Sequence, residues 1–135
     1  IKMIKCLPVV VVSLFFIGCS GGSHEAITRE YLDVMSNIVN VCETIKDKDS
    51  AKAAQPKLGE LLANLRELKT RAKEIGKIND SVQRKIDKKY DAEMDKLSVR
   101  YSTAVQAIVD SDECSTTLES ELKTLATLLN SRFTG

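Results

Sequence analysis

From Asp80 to Asp110 the chain runs without proline or glycine, and Val82, Ile86, Tyr90, Met94, Leu97, Tyr101, Val105 and Ile108 recur along it at three- and four-residue steps. Residues three or four apart share one face of an α-helix, whereas a strand alternates every second residue. The segment therefore predicts one long amphipathic helix, roughly 46 Å at 1.5 Å per residue. A helix of that length with a single apolar stripe must bury the stripe against other helices, which confines the fold to the all-α class. Its other faces carry charge, with Lys89, Glu93 and Lys96 spaced for four- and three-residue pairs on a solvated side.

The same periodicity predicts three partners. Ile27, Tyr31, Val34, Met35, Ile38, Val41, Cys42 and Ile45 mark a first helix. Lys46-Asp47-Lys48-Asp49-Ser50 then forms a turn, with Asp49 or Ser50 as the next N-cap. Ala54, Leu58, Leu61, Leu65, Leu68, Ala72 and Ile75 give a second helix with a coiled-coil-like seam. Pro56 either kinks it or makes it start near Gln55, because the ring clashes with the Lys52 carbonyl. Gly76 is the expected C-terminal cap, and Asn79 or Asp80 caps the long third helix. Asp110 to Ser115 reads as a turn, Thr116 to Glu119 as a capping box, and Leu118, Leu122, Leu125, Leu129 and Phe133 as the stripe of a fourth helix. Short connections between four such helices predict an antiparallel up-down four-helix bundle.

Ahead of this domain stand Lys2 and Lys5, a largely apolar run from Leu7 to Ile17, and Gly18-Cys19-Ser20. The run is too short to cross a bilayer core of about 30 Å, and its layout is that of a secretory signal. Phe16-Ile17-Gly18-Cys19 resembles the bacterial lipobox, in which the cysteine is lipidated and becomes the first mature residue. The resemblance implies a signal over residues 1–18, a lipidated Cys19 with a tether over residues 19–24, and a helical domain over residues 25–135. It also implies a palmitate-bearing lipid anchor at the cell envelope. Ser20 after the cysteine resembles the pattern that permits sorting to the outer membrane, facing the periplasm. The alternative is a soluble secreted or periplasmic protein cleaved near Ser20 or Gly21. The stretch Asp49 to Leu58 resembles one found in uncharacterised helical proteins secreted by bacteria, which implies a fold class and no activity.

Cys6 leaves with the signal and Cys19 takes the lipid, so Cys42 and Cys114 are the remaining cysteine pair. Export makes a disulfide between them the expected state. In an up-down bundle the end of the first helix and the start of the fourth share a pole, which puts the two within reach. Two buried free thiols are the alternative.

Without Lys2 and Lys5 the chain has 18 basic against 19 acidic residues. That balance, with no Trp and few other aromatics, argues against nucleic acid as a partner. His24 is the single histidine and falls in the expected tether, so neither a Cys-His catalytic pair nor a zinc or di-iron site has its ligands. Met35 and Met94 read as core fillers rather than haem ligands. Asp47, Asp49, Asp110, Asp112 and Glu113 lack the spacing of an EF-hand and read as capping-loop residues. No enzyme, cofactor or metal site is expected.

Arg71, Lys73, Lys77, Arg84, Lys85, Lys88 and Lys89 face only Glu74, Asp80 and Asp87 around the turn between the second and third helices. Counting back from Cys114 and from Cys42, the third helix outruns the first by roughly 25 Å. A projecting two-helix hairpin with a basic tip is therefore expected, and the tip is a candidate contact for anionic lipid. The functional expectation is a lipid-anchored, non-enzymatic interaction or structural module that meets an envelope protein. The alternative is a periplasmic binder of a small apolar ligand, held between helices near Leu61, Leu65, Tyr90 and Tyr101.

Overall fold

The computed structural model describes the backbone of residues 20–130 and the side chains of residues 24–130. Five helices follow one another, α1 (Ser20–Glu43), α2 (Lys48–Ile75), α3 (Asp80–Val109), α4 (Asp112–Thr117) and α5 (Glu119–Asn130). The all-α class is as expected, and no strand occurs among the described residues. Phe133 and the lipobox residues up to Cys19 lie outside them.

Helix boundaries follow local chemistry. α2 begins earlier than expected because Asp47 is its N-cap: the Asp47 carboxylate accepts from the Ser50 backbone N–H at 2.8 Å, while Ser50 Oγ accepts from Asp47 N–H at 3.0 Å. This reciprocal pair satisfies two backbone donors, which Asp49 or Ser50 as cap would leave open. α2 then continues through an exposed Pro56, at the cost of one backbone hydrogen bond to Lys52. Gly76 ends it at a φ of 87°, a conformation that a side chain would strain. Asn79 caps α3 by accepting from Ser81 N–H at 2.8 Å.

The expected capping box at Thr116 is not formed. Thr116 lies inside α4, whose cap is Ser111, and the helical path bends at Leu118 before α5. Leu118 is fully buried there, so the bend turns an apolar side chain inward.

Packing places α1 between α2 and α3. It lies against both α2 and α3, α2 also meets α4 and α5, and α3 meets α4. Among the described residues, the backbones of α2 and α3 make no close approach to one another. Three carboxylates of α1 fix its position. Glu30 receives Arg71 of α2 through two bonds, 2.8 and 3.0 Å. Glu25 receives Lys89 and Tyr90 of α3 at 2.7 and 2.9 Å. Glu43 receives Arg100 of α3 at 2.7 and 3.3 Å, and Asn40 accepts from the same guanidinium at 2.9 Å. The order of these pairs makes α1 parallel to α3.

The expected projecting hairpin is corrected by the same contacts. α1 starts at Ser20, inside the stretch read as a tether, and its Glu25 already reaches the first half of α3. Helices two and three are held apart by α1 rather than extending past it as a pair.

The main core joins Met35, Ile38, Cys42 and Ile45 of α1 and its following turn to Leu58, Leu61, Leu65, Ile108, Cys114 and Leu118, among others. A smaller cluster of Leu32, Ile86 and Tyr90, with Ile78, Val82 and Leu97 against it, lies toward the α2–α3 turn. No charged side chain is buried among the described residues. None of the described helices is long and apolar enough to cross a membrane.

Candidate binding cleft

Between the first half of α1 and the first half of α3 the side chains leave a cleft of about 500 Å³. α1 contributes His24, Ile27, Thr28 and Tyr31. The facing side is built by Gln83, Ile86, Asp87, Tyr90, Asp91 and Met94 of α3, and Ala72 and Ile78 reach it from α2 and the turn. The positions on α3 follow from helical spacing: Gln83, Ile86, Tyr90 and Met94 are three or four residues apart, and Asp87 and Asp91 flank that stripe one turn from each other.

Apolar Ile27, Ala72, Ile78, Ile86 and Met94 share the lining with the polar groups of His24, Thr28, Tyr31, Gln83, Asp87, Tyr90 and Asp91. Tyr90 is held by its donation to Glu25, and burial together with that carboxylate raises the phenol above its ordinary range. Burial raises Tyr31 as well. Thr28 Oγ donates to the His24 carbonyl at 2.9 Å, so its methyl group is presented without an open hydroxyl demand. Asp87 accepts from Gln83 Nε2 at 2.6 Å, and Asp91 has no ion-pair partner among the described residues.

The expected ligand site lay elsewhere. Leu61 and Leu65 are packed into the main core at 4% and 1% exposure, and Tyr101 sits against that core, where burial pushes its phenol up to about 12. Of the four residues named for a ligand, only Tyr90 lines the cleft. His24, placed in the tether on sequence grounds, is a helical lining residue. In the sequence Asp87 enters only as a counter-charge to the basic tip, and Asp91 is one of many charges flanking the α3 stripe.

The seven basic residues of the tip divide. Arg71 is committed to Glu30, and Lys89 is committed to Glu25 while lying 5.6 Å from the centre of the Tyr90 ring. These pairs raise both cations and lower Glu25. Lys73, Lys77, Arg84, Lys85 and Lys88 are exposed.

The disulfide expected between Cys42 and Cys114 is not present. Both are free thiols, 2% and 1% exposed, and serve as small apolar fillers of one core cluster. Burial raises the Cys42 thiol to about 11, with Glu43 adding to the effect. The thiolate needed for disulfide exchange is therefore scarce at neutral pH. Among the described residues no three His, Cys, Asp or Glu side chains gather to hold a metal. Asp47 serves a cap, and Asp110 accepts from Gln106 at 2.8 Å.

Comparison with known proteins adds no relative: no family model, no curated protein and no solved structure matches the chain.

Proposed function

We propose that this protein is a non-enzymatic binding module of the cell envelope, held by lipid on Cys19, whose cleft between α1 and α3 takes a small, largely apolar ligand. The observation that supports this reading is the cleft itself. Its volume of about 500 Å³ falls in the range of small-molecule sites, and its lining joins apolar side chains to polar groups that can orient a ligand. The envelope location rests on Lys2, Lys5, the Leu7–Ile17 run and Gly18-Cys19. Ligand binding is preferred to protein docking because the void is a cleft between α1 and α3 rather than a flat face.

Two experiments test the two halves. Titration with N-phenyl-1-naphthylamine, a neutral fluorescent probe, is expected to give saturable one-site binding that Thr28→Phe removes by filling the cleft. Non-saturable uptake, or equal binding by the folded variant, overturns the ligand reading. Metabolic labelling with a palmitate analogue is expected to mark the wild type and spare Cys19→Ala, and equal labelling of both overturns the anchor.

A further inference from the structure

Among the described residues, the walls of the cleft carry two carboxylates, Asp87 and Asp91, and neither a lysine nor an arginine. This stands out at a pole that is otherwise rich in bases. The two nearest committed cations are already neutralised, Lys89 by Glu25 and Arg71 by Glu30. Arg84, Lys85 and Lys88 are exposed on α3 but do not line the cleft. Arg29, whose charge is felt at Glu25 and Tyr90, is likewise exposed and off the lining. Among the described lining residues, only His24 has a side chain able to carry positive charge.

Within the cleft, a ligand carboxylate or sulfate would face Asp87 and Asp91, with no lysine or arginine among the described lining residues to receive it. An ammonium group would find the Asp91 carboxylate and the second oxygen of Asp87, with Tyr31 and Tyr90 also on the lining. The apolar part of the same molecule would lie against Ile27, Ile86 and Met94. From this charge complementarity we infer that the occupant of the cleft is a cationic amphiphile, an alkyl or aryl chain ending in an amine or quaternary ammonium group. The inference rests on the binding reading above and deepens it by naming the ligand class.

Three ten-carbon probes separate the two. Calorimetric titration of the full chain with decyltrimethylammonium, 1-decanol and decanoate, each below its aggregation concentration, is expected to rank them in that order. The ammonium should bind about tenfold more tightly than the alcohol, the scale of two partly exposed charge contacts. In Asp87→Asn/Asp91→Asn that preference should fall to about onefold with alcohol binding unchanged. Asp91→Lys should move the preference toward decanoate. Added salt should weaken the ammonium alone. Equal binding of ammonium and alcohol, a preference for decanoate in the wild type, or a cation preference that survives in the double variant overturns the cationic class while leaving the cleft reading intact. Binding of none of the three overturns both. The substituted positions are exposed, and far-UV circular dichroism verifies that the variants are folded.

Discussion

Replacing Val39 with alanine tests whether α1 lies between α2 and α3. Val39 is fully buried, yet it falls outside the single stripe that marks the first helix in the sequence. It lies two turns beyond Leu32, on the same face of α1, and Leu32 clusters with Ile86 and Tyr90 of α3. Removing two buried methyl groups forfeits about 1.6 kcal/mol of transfer free energy at about 0.8 per carbon. The cavity left behind adds about 1 kcal/mol in a site that cannot collapse. Alanine's better helix propensity returns about 0.5 kcal/mol. The expected loss is therefore about 2 kcal/mol, a fall of about 8 °C in Tm for a chain of this size. Val99→Ala on α3 is the control, since Val99 is 67% exposed and the same chemistry there should change stability by less than about 0.5 kcal/mol. Urea denaturation of both variants, with unchanged slope, reads the difference. Equal midpoints for Val39→Ala and Val99→Ala would refute the placement of α1 between two partners.

Further outcomes follow from the charge and thiol geometry. Glu25 and Glu43 are held below their ordinary value of 4.5 by Lys89 with Tyr90 and by Arg100, so their contribution is present above that value and is lost as pH falls through the lowered ones. Thermal melts should accordingly show stability falling below about pH 4.5, and Glu25→Gln/Glu43→Gln should flatten that dependence; an unchanged slope counts against the pairs. Cys42 and Cys114 should resist a thiol-specific reagent in native protein at pH 7 and react once urea unfolds it, whereas rapid reaction in the native state would contradict their burial. If the tip also touches anionic lipid, Arg84→Glu/Lys85→Glu/Lys88→Glu should weaken vesicle binding of an unlipidated chain in a salt-sensitive way, with Lys89 left intact because it holds α1. Unchanged sedimentation with vesicles would remove that role.

What the sequence made legible was whatever one helix decides alone. The three- and four-residue steps marked where α1, α2 and α3 lie, and Asn79 and Gly76 were readable as caps because each stands at the edge of a long periodic run. Where several residues could do the same local work, the reading slipped. Asp47, Asp49 and Ser50 are all competent caps, and only the reciprocal bond with Ser50 selects Asp47. Thr116 and Glu119 match a capping box, but Ser111 caps first and draws Thr116 into α4. The larger differences arise between helices. A helix read as having one apolar stripe is assigned one partner, whereas Leu32 and Val39 are buried because α1 has two. Its position depends on Glu25, Glu30 and Glu43, whose partners lie 41 to 65 residues away and whose carboxylates look no different in the sequence from solvated charge. The cleft has the same origin. Once α1 is tied to α2 at Glu30 and to α3 at Glu25, the backbones of α2 and α3 stand apart, and the space around Ile27, Ile86 and Met94 is lined but not filled. The candidate binding site thus lies beside the pairs that tie α1 to α2 at Glu30 and to α3 at Glu25.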